Sequence, residues 1–255
     1  MEKPHLIAHR GYSSRYPENT CLAIEKAIDA GACYVEFDVQ LTVDGVPMVF
    51  HDAELKRTTG IDGRIMDFTS RELAGIDANE EERFGRKFEN IPIPTLASVA
   101  ALLEKRSNVS AFVEIKKESL DMFGVPRVIS AVIQGIAPVQ DRCVIISYDI
   151  PVLRSARANG ITKIGLVLTT YDELSRSATE ALGPEFVICN YQKLPPPPAA
   201  LWTGRWQWAL YEFDDPELAL TWSKRGVDFI ETMAVGDLLK HPGFRQGADV
   251  ADESV

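Results

Sequence analysis

The chain lacks most features that would take it out of the class of soluble, reduced, small-molecule proteins. No apolar run reaches the roughly 18 residues of a membrane-crossing helix. The first residues, Met-Glu-Lys-Pro-His-Leu-Ile-Ala-His-Arg, hold no apolar core of a signal peptide. A soluble cytoplasmic protein is expected. Cysteine is scarce: Cys21, Cys33, Cys143 and Cys189 form no Cys-x-x-Cys pair, and each lies in an apolar stretch. A disulfide framework would be denser in a shorter chain, so buried reduced thiols are expected. Basic charge is in deficit, the net charge being −10. Duplex nucleic acid and anionic membrane surfaces both need a basic footprint, so neither is an expected partner. Internal repeats and long low-complexity segments are absent. So is a Gly-rich phosphate turn after the first apolar run, where His9-Arg10-Gly11-Tyr12 stands instead. That counts against a doubly wound open sheet, the alternative α/β architecture.

What is present is an alternation. Of the 255 residues, 45% are hydrophobic, enough for one sizeable core. Eight short apolar runs, at 6–9, 34–39, 111–115, 143–147, 164–168, 186–189, 206–211 and 229–232, are separated by longer amphipathic stretches. Seven intervals can hold a helix, for example 19–30, 95–105, 151–159 and 216–225. Continuous apolar strands between helices indicate a parallel sheet covered on both faces. Eight such units in this length predict a single α/β domain over residues 1–255, a TIM (β/α)8 barrel.

A ninth run, Val46 to Phe50, is too close to the second strand for a parallel crossover. Asp44-Gly45 between two extended runs predicts a hairpin. With those two as the turn, Val43 pairs with Val46 and Asp38 faces His51. Residues 54–93 are polar and charged, and are expected to be a small insertion or lid beside the site without a core of its own. Pro195 to Pro198 predicts a stiff polyproline II piece, and residues beyond Pro242 are expected to fray.

Glu36-Phe37-Asp38 puts two carboxylates on one face of an apolar strand, and Glu114 ends another. Buried neighbouring carboxylates repel unless a cation lies between them. Glu36, Asp38 and Glu114 are therefore candidate ligands for one hard divalent cation, Mg²⁺ or Ca²⁺. His9 and His51, both at strand ends, suit an acid–base pair. Arg10 and Lys116 flank these residues and suit phosphate oxygens. Three carboxylates and two cations leave −1, which repels an anion. A divalent cation brings the count to +1, which a phosphodiester monoanion neutralises.

The ordered set His9-Arg10-Gly11, Pro17-Glu18-Asn19-Thr20, Glu36-Phe37-Asp38-Val39, Thr42-Val43-Asp44-Gly45, His51-Asp52, Leu55, Arg57-Thr58-Thr59, Gly63, Ile91 to Leu96, Glu114-Ile115-Lys116, Ser147-Tyr148 and Gly226-Val227-Asp228 resembles the glycerophosphodiester phosphodiesterase family over nearly the whole chain. The resemblance implies a TIM barrel, a metal at Glu36, Asp38 and Glu114, acid–base histidines at His9 and His51, and phosphate contacts from Arg10 and Lys116. It also implies site support from Glu18 and Asn19, Asn19 being read in addition as a cap of the first helix. Where the family often has Trp-Thr-Val-Asn, this chain has Tyr211-Glu212-Phe213-Asp214, making Tyr211 a candidate wall for the alcohol group. Where the family's last strand often ends in Thr-Asp, this one ends in Thr232-Met233. The implied reaction is hydrolysis of a small-molecule glycerophosphodiester to an alcohol and sn-glycerol 3-phosphate. The alternatives are a barrel phospholipase C or sphingomyelinase D acting on lipids, and a non-catalytic phosphate-binding barrel. A homodimer is left open.

Overall fold

Runs rich in β-branched and aromatic residues favour strands where both faces are buried. In the computed structural model, which describes residues 3–244, nine such segments are extended. They are β1 (His5–Ala8), β2 (Tyr34–Leu41), β3 (Pro47–Val49), β4 (Ser110–Ile115), β5 (Cys143–Ser147), β6 (Ile164–Val167), β7 (Phe186–Asn190), β8 (Gln207–Tyr211) and β9 (Phe229–Thr232). All but β3 pair in parallel, and the pairing of β1 with both β9 and β2 closes the ring. The chain is a TIM (β/α)8 barrel, as its alternating pattern predicts.

Helices Cys21–Asp29, Leu96–Glu104, Val125–Ile136, Ile150–Ala158, Glu173–Leu182 and Pro216–Ser223 cover the outside. Val125–Ile136 shows why. Val128, Ile129, Val132 and Ile136 recur at helical spacing and are all buried, and Pro126 sits in its first turn, where no intrahelical donor is lost. The larger apolar cluster lies between these helices and the outer faces of the strands. A second fills the barrel with Ile7, Phe112, Ile146, Phe186, Ile188 and Phe229. Phe186 stands edge-on between Phe112 and Phe229, with ring centroids 5.0 and 5.5 Å away. These rings plug the end of the barrel that carries the strand N-termini.

Three local expectations are corrected. The hairpin register is one residue off, since Val39 pairs with Val49 and Leu41 with Pro47. The loop holds three residues. Thr42 N donates to Val46 O (3.1 Å), Gly45 N donates to Thr42 O (2.9 Å), and Gly45 takes a positive φ of 82°. Asp38 therefore stands opposite Phe50, whose N–H donates to its carbonyl at 2.9 Å. The interval after β7 forms no α-helix, only the 3₁₀ turn Tyr191–Lys193, because four successive prolines offer no N–H donors. Those prolines are not a polyproline II rod; Ala199 N donates to Pro196 O at 3.2 Å in a turn that contains the cis Pro197–Pro198 bond. Residues 54–93 bury Leu55, Ile65, Met66, Leu73, Ala78 and Ile93 against Met48 and Phe50 of the hairpin, in one cluster shared between the two. The fraying expected beyond Pro242 lies, from residue 245 on, outside the described residues.

The aromatic plug has a measurable consequence. Phe112→Ala removes a fully buried ring and should cost about 3–5 kcal/mol of unfolding free energy in urea titrations. A loss under about 1 kcal/mol would show that the plug contributes little.

Candidate active site

The inward face of β2 carries Glu36 and Asp38, two residues apart and both buried. Asp38 is the lateral partner of Glu114 on β4. Oxygens from Glu36, Asp38 and Glu114 all lie within 4.8 Å of one another. Glu114 stands near the carboxyl end of β4, and because β2 runs on past the end of β1, whose last residue Ala8 pairs with Val35, Glu36 and Asp38 lie at that same level, where TIM-barrel sites lie.

Two cations are threaded through this group. Arg10 follows β1 in the left-handed region, φ 55°. Its backbone N–H donates to Glu36 Oε2 (3.0 Å), its Nη1 to Glu18 Oε1 (3.0 Å), and its Nε lies 3.2 Å from Asp38 Oδ2. Lys116 Nζ reaches Glu114 Oε1 at 2.9 Å and Asp38 Oδ1 at 3.3 Å. Asn19 Nδ2 donates to Asp38 Oδ2 (2.9 Å), and Asp38 N–H donates to Asn19 Oδ1 (3.1 Å). Asn19 thus holds Asp38 and does not cap the first helix. Thr20 is the cap, accepting from Ala23 N. Gly11 lets this loop close on that helix: its φ is +81°, and a Cβ there would fall 2.6 Å from the Ala23 carbonyl carbon.

His51 lies beyond the end of β3, with Nδ1 hydrogen-bonded to Asp52 Oδ1. Its ring lies within electrostatic reach of Asp38 and Glu114. The chain's bend after Phe50, and not the strand register, brings it there. His9 Nε2 lies 3.3 Å from Glu231 Oε1 and 3.9 Å from Glu36 Oε2. Tyr211 ends β8, its ring centroid 6.4 Å from that of His9. Its hydroxyl is 3.1 Å from that of Tyr148. The structure thus gathers every residue named from the sequence around one opening.

Glu231 is the residue the sequence reading missed. It sits on β9 opposite Ile7 of β1 and is buried. The signal was available: a glutamate inside the apolar run Phe229–Thr232 is the same pattern that marks Glu36 and Glu114. Oxygens of Glu36 and Glu231 and a ring nitrogen of His9 form a second group within 4.8 Å.

Burial dominates the protonation equilibria. It lowers His9 to about 3, with help from the Arg10 charge. It raises Glu36 well above the usual carboxylate range, with Asp38 and Glu231 adding repulsion, and raises Glu114 with help from Asp38. Burial would also raise Asp38, but Arg10 and Lys116 outweigh it and hold that carboxyl well below its ordinary value. Glu231 is pushed up to about 8 by burial, then by Glu114 and Asp38. With Glu36, Glu114 and Glu231 all raised, the metal-free site favours holding protons among its carboxyls, and a divalent cation placed there would offset the same charge instead.

Barrel and site together define a TIM barrel with two histidines, four carboxylates and two cations gathered at one opening. The chain belongs to the glycerophosphoryl diester phosphodiesterase family, whose sequence model matches residues 9–183. A glycerophosphodiester phosphodiesterase of Bacillus altitudinis is 36% identical over 143 residues, 56% of this chain and 57% of that one. The chain spans about half the length of the curated relatives it matches, or less. Solved structures cover more. A phosphodiesterase of Oleispira antarctica, in complex with the product sn-glycerol-3-phosphate, superposes with TM-score 0.81 at 25% identity over 92% of this chain and 95% of its own. The glycerophosphodiester phosphodiesterase of Thermotoga maritima gives 0.71 at 26% identity over 94% and 99%.

The raised Glu231 sets a pH dependence. Its carboxyl holds a proton in the folded state that the unfolded chain releases near pH 4.5. Its contribution to stability is complete below that value and declines as pH rises towards 8. In metal-free protein, Glu231→Gln should flatten the fall in unfolding free energy between pH 5 and 8 by on the order of 2–4 kcal/mol. Denaturant titrations at four pH values check this; parallel curves for the two proteins would reject it.

Proposed function

We propose that this chain hydrolyses glycerophosphodiesters, giving an alcohol and sn-glycerol 3-phosphate, with one divalent cation as cofactor. The observation that carries the reading is the trio Glu36, Asp38 and Glu114 beside Arg10 and Lys116, with two histidines at the same barrel opening. The product held by the Oleispira antarctica relative supports it. We read the enzyme as a cytoplasmic one acting on small soluble diesters; no helix among the described residues is long and apolar enough to cross a membrane.

The donor set fits a metal. Its ligands are all carboxylate oxygens, which suits Mg²⁺ or Ca²⁺. Glu36 Oε1 is buried without a hydrogen-bond partner, a costly state that a cation would relieve. When bound, the ion supplies Lewis-acid polarisation of the phosphoryl oxygens, worth several kcal/mol. The chain's own residues do the rest. Arg10 and Lys116 bind the non-bridging oxygens and orient phosphorus. One histidine takes the proton of the attacking hydroxyl: that of water, giving sn-glycerol 3-phosphate directly, or the glycerol 2-hydroxyl, giving a cyclic phosphate that water then opens with the two histidines exchanging roles. The other gives a proton to the alkoxide as its bond to phosphorus breaks. Glu18 and Asn19 hold Arg10 and Asp38 in place. Tyr211 walls the alcohol group, and its smaller ring in place of the family's frequent Trp bears on which alcohol is preferred.

Metal dependence is tested by removal and by substitution. EDTA should abolish hydrolysis of glycerophosphocholine, and Mg²⁺ or Ca²⁺ should restore it. Glu36→Gln, Asp38→Asn and Glu114→Gln should each weaken metal binding at least tenfold by calorimetry. Full activity in exhaustively chelated protein would exclude the metal.

The histidines should behave as a unit. His9→Ala and His51→Ala should each lower kcat by about 10²–10⁴, and the double variant by no more than about the larger single loss. Losses that multiply in the double variant would show that the two do not act in one reaction.

A further inference from the structure

Arg57 belongs to the Arg57-Thr58-Thr59 element, and nothing above gives it work. It sits on the four-residue helix Lys56–Thr59 of the 54–93 segment, outside the barrel. Its guanidinium points back at the site. Nε donates to Asp52 Oδ2 at 2.6 Å, Nη1 to Glu18 Oε2 at 3.0 Å and Nη2 to Glu18 Oε1 at 2.7 Å. Asp52 in turn holds His51 Nδ1, and Glu18 holds Arg10 Nη1 at 3.0 Å. Arg10 then reaches Asp38. The result is one chain of charge-assisted contacts: His51, Asp52, Arg57, Glu18, Arg10, Asp38.

From this chain we infer that Arg57 is a positioning residue. It ties the acid–base arm, His51 with Asp52, to the phosphate arm, Arg10 with Asp38, and so fixes the distance between proton transfer and phosphorus. The inference rests on the hydrolytic reading above. All three kinds of guanidinium nitrogen, Nε, Nη1 and Nη2, are committed to carboxylates, so Arg57 acts through its neighbours and leaves substrate to Arg10. Only a planar fork can serve two carboxylates in fixed directions at once; a lysine is a point charge and cannot. The pairing also lowers Glu18 against the effect of its burial, the Arg57 hydrogen bonds being the main opposing cause.

The segment bearing Arg57 is itself fastened to the loop bearing Glu18. Thr58 O accepts from Glu80 N at 3.0 Å. The buried Glu80 carboxylate accepts from Glu18 N and from Arg83 Nη1, and Arg83 Nη2 donates to Ser13 O at 2.7 Å. Arg57 therefore presents its fork from a fixed base.

The test uses Arg57→Lys and Arg57→Ala in the full chain, with glycerophosphocholine and Mg²⁺. Both variants should lose kcat by roughly 10- to 100-fold, the range for an outer partner of a functional residue, with KM changed less than threefold. Added guanidinium ion should restore at least a tenth of the lost rate to Arg57→Ala, and ammonium should not. A wild-type kcat in Arg57→Lys overturns the proposal, as does a loss that guanidinium and ammonium repair equally. Should Arg57→Ala not fold, Arg57→Lys carries the test alone. A readout independent of turnover is the His51 Nδ1–H proton resonance, which should shift or broaden in Arg57→Lys; an unchanged resonance also overturns the proposal. If wild-type protein hydrolyses no glycerophosphodiester while the resonance moves as stated, the hydrolytic reading fails and the positioning chain stands.

Discussion

Four carboxylates share the opening of one barrel with two fixed cations, and the surrounding structure is organised to make that tolerable. Two unit charges about 4 Å apart interact by roughly 4 kcal/mol even at an effective dielectric near 20. Such repulsion among Glu36, Asp38, Glu114 and Glu231 is offset by geometry. Arg10 donates to Glu36 and Glu18 and sets its guanidinium charge 3.2 Å from Asp38, Lys116 bridges Glu114 and Asp38, and Asn19 makes two bonds to Asp38. The loop that carries His9 to Thr20 is shaped for this, with Arg10 and Asn19 both held at positive φ. Burial favours the protonated forms of Glu36, Glu114 and Glu231, and under our reading a divalent cation offsets the charge that remains.

The barrel was legible because its signal is repeated. Each apolar run alone could belong to several folds, but eight of them at helical intervals leave few alternatives. The site was legible for the same reason in miniature: Glu36, Asp38 and Glu114 interrupt runs that are otherwise apolar, and a buried charge needs a cause. What was not legible depended on single local choices. The hairpin pattern Thr42 to Gly45 suits a two-residue or a three-residue loop, and the positive φ of Gly45 serves the longer one. Asn19 and Thr20 are both good caps by residue type, and only tertiary contact with Asp38 decides between them. Glu231 is a single carboxylate within the four-residue run Phe229–Thr232, with no second carboxylate two residues away on its strand to mark it as Asp38 marks Glu36.

Residues 54–93 show how composition misleads. Their charge suggests a loose flap, yet a handful of apolar side chains suffices because Met48 and Phe50 of the hairpin supply the other half of the cluster. A segment that borrows its core from a neighbour carries a weak hydrophobic signature of its own. The charged residues then become available for contacts with the loop at 13–18.

The rings of Phe112, Phe186 and Phe229, packed under the carboxylates, make the barrel a cup with a single rim. Under the hydrolytic reading, traffic to and from the phosphorus has one route: water, diester, freed alcohol and phosphate ester all use the same door. A departing alcohol lingers where the next water must arrive, and a small alcohol at high concentration queues for the same place. On that reading, such an enclosure would set hydrolysis and alcohol exchange in direct competition, with the balance decided at the rim.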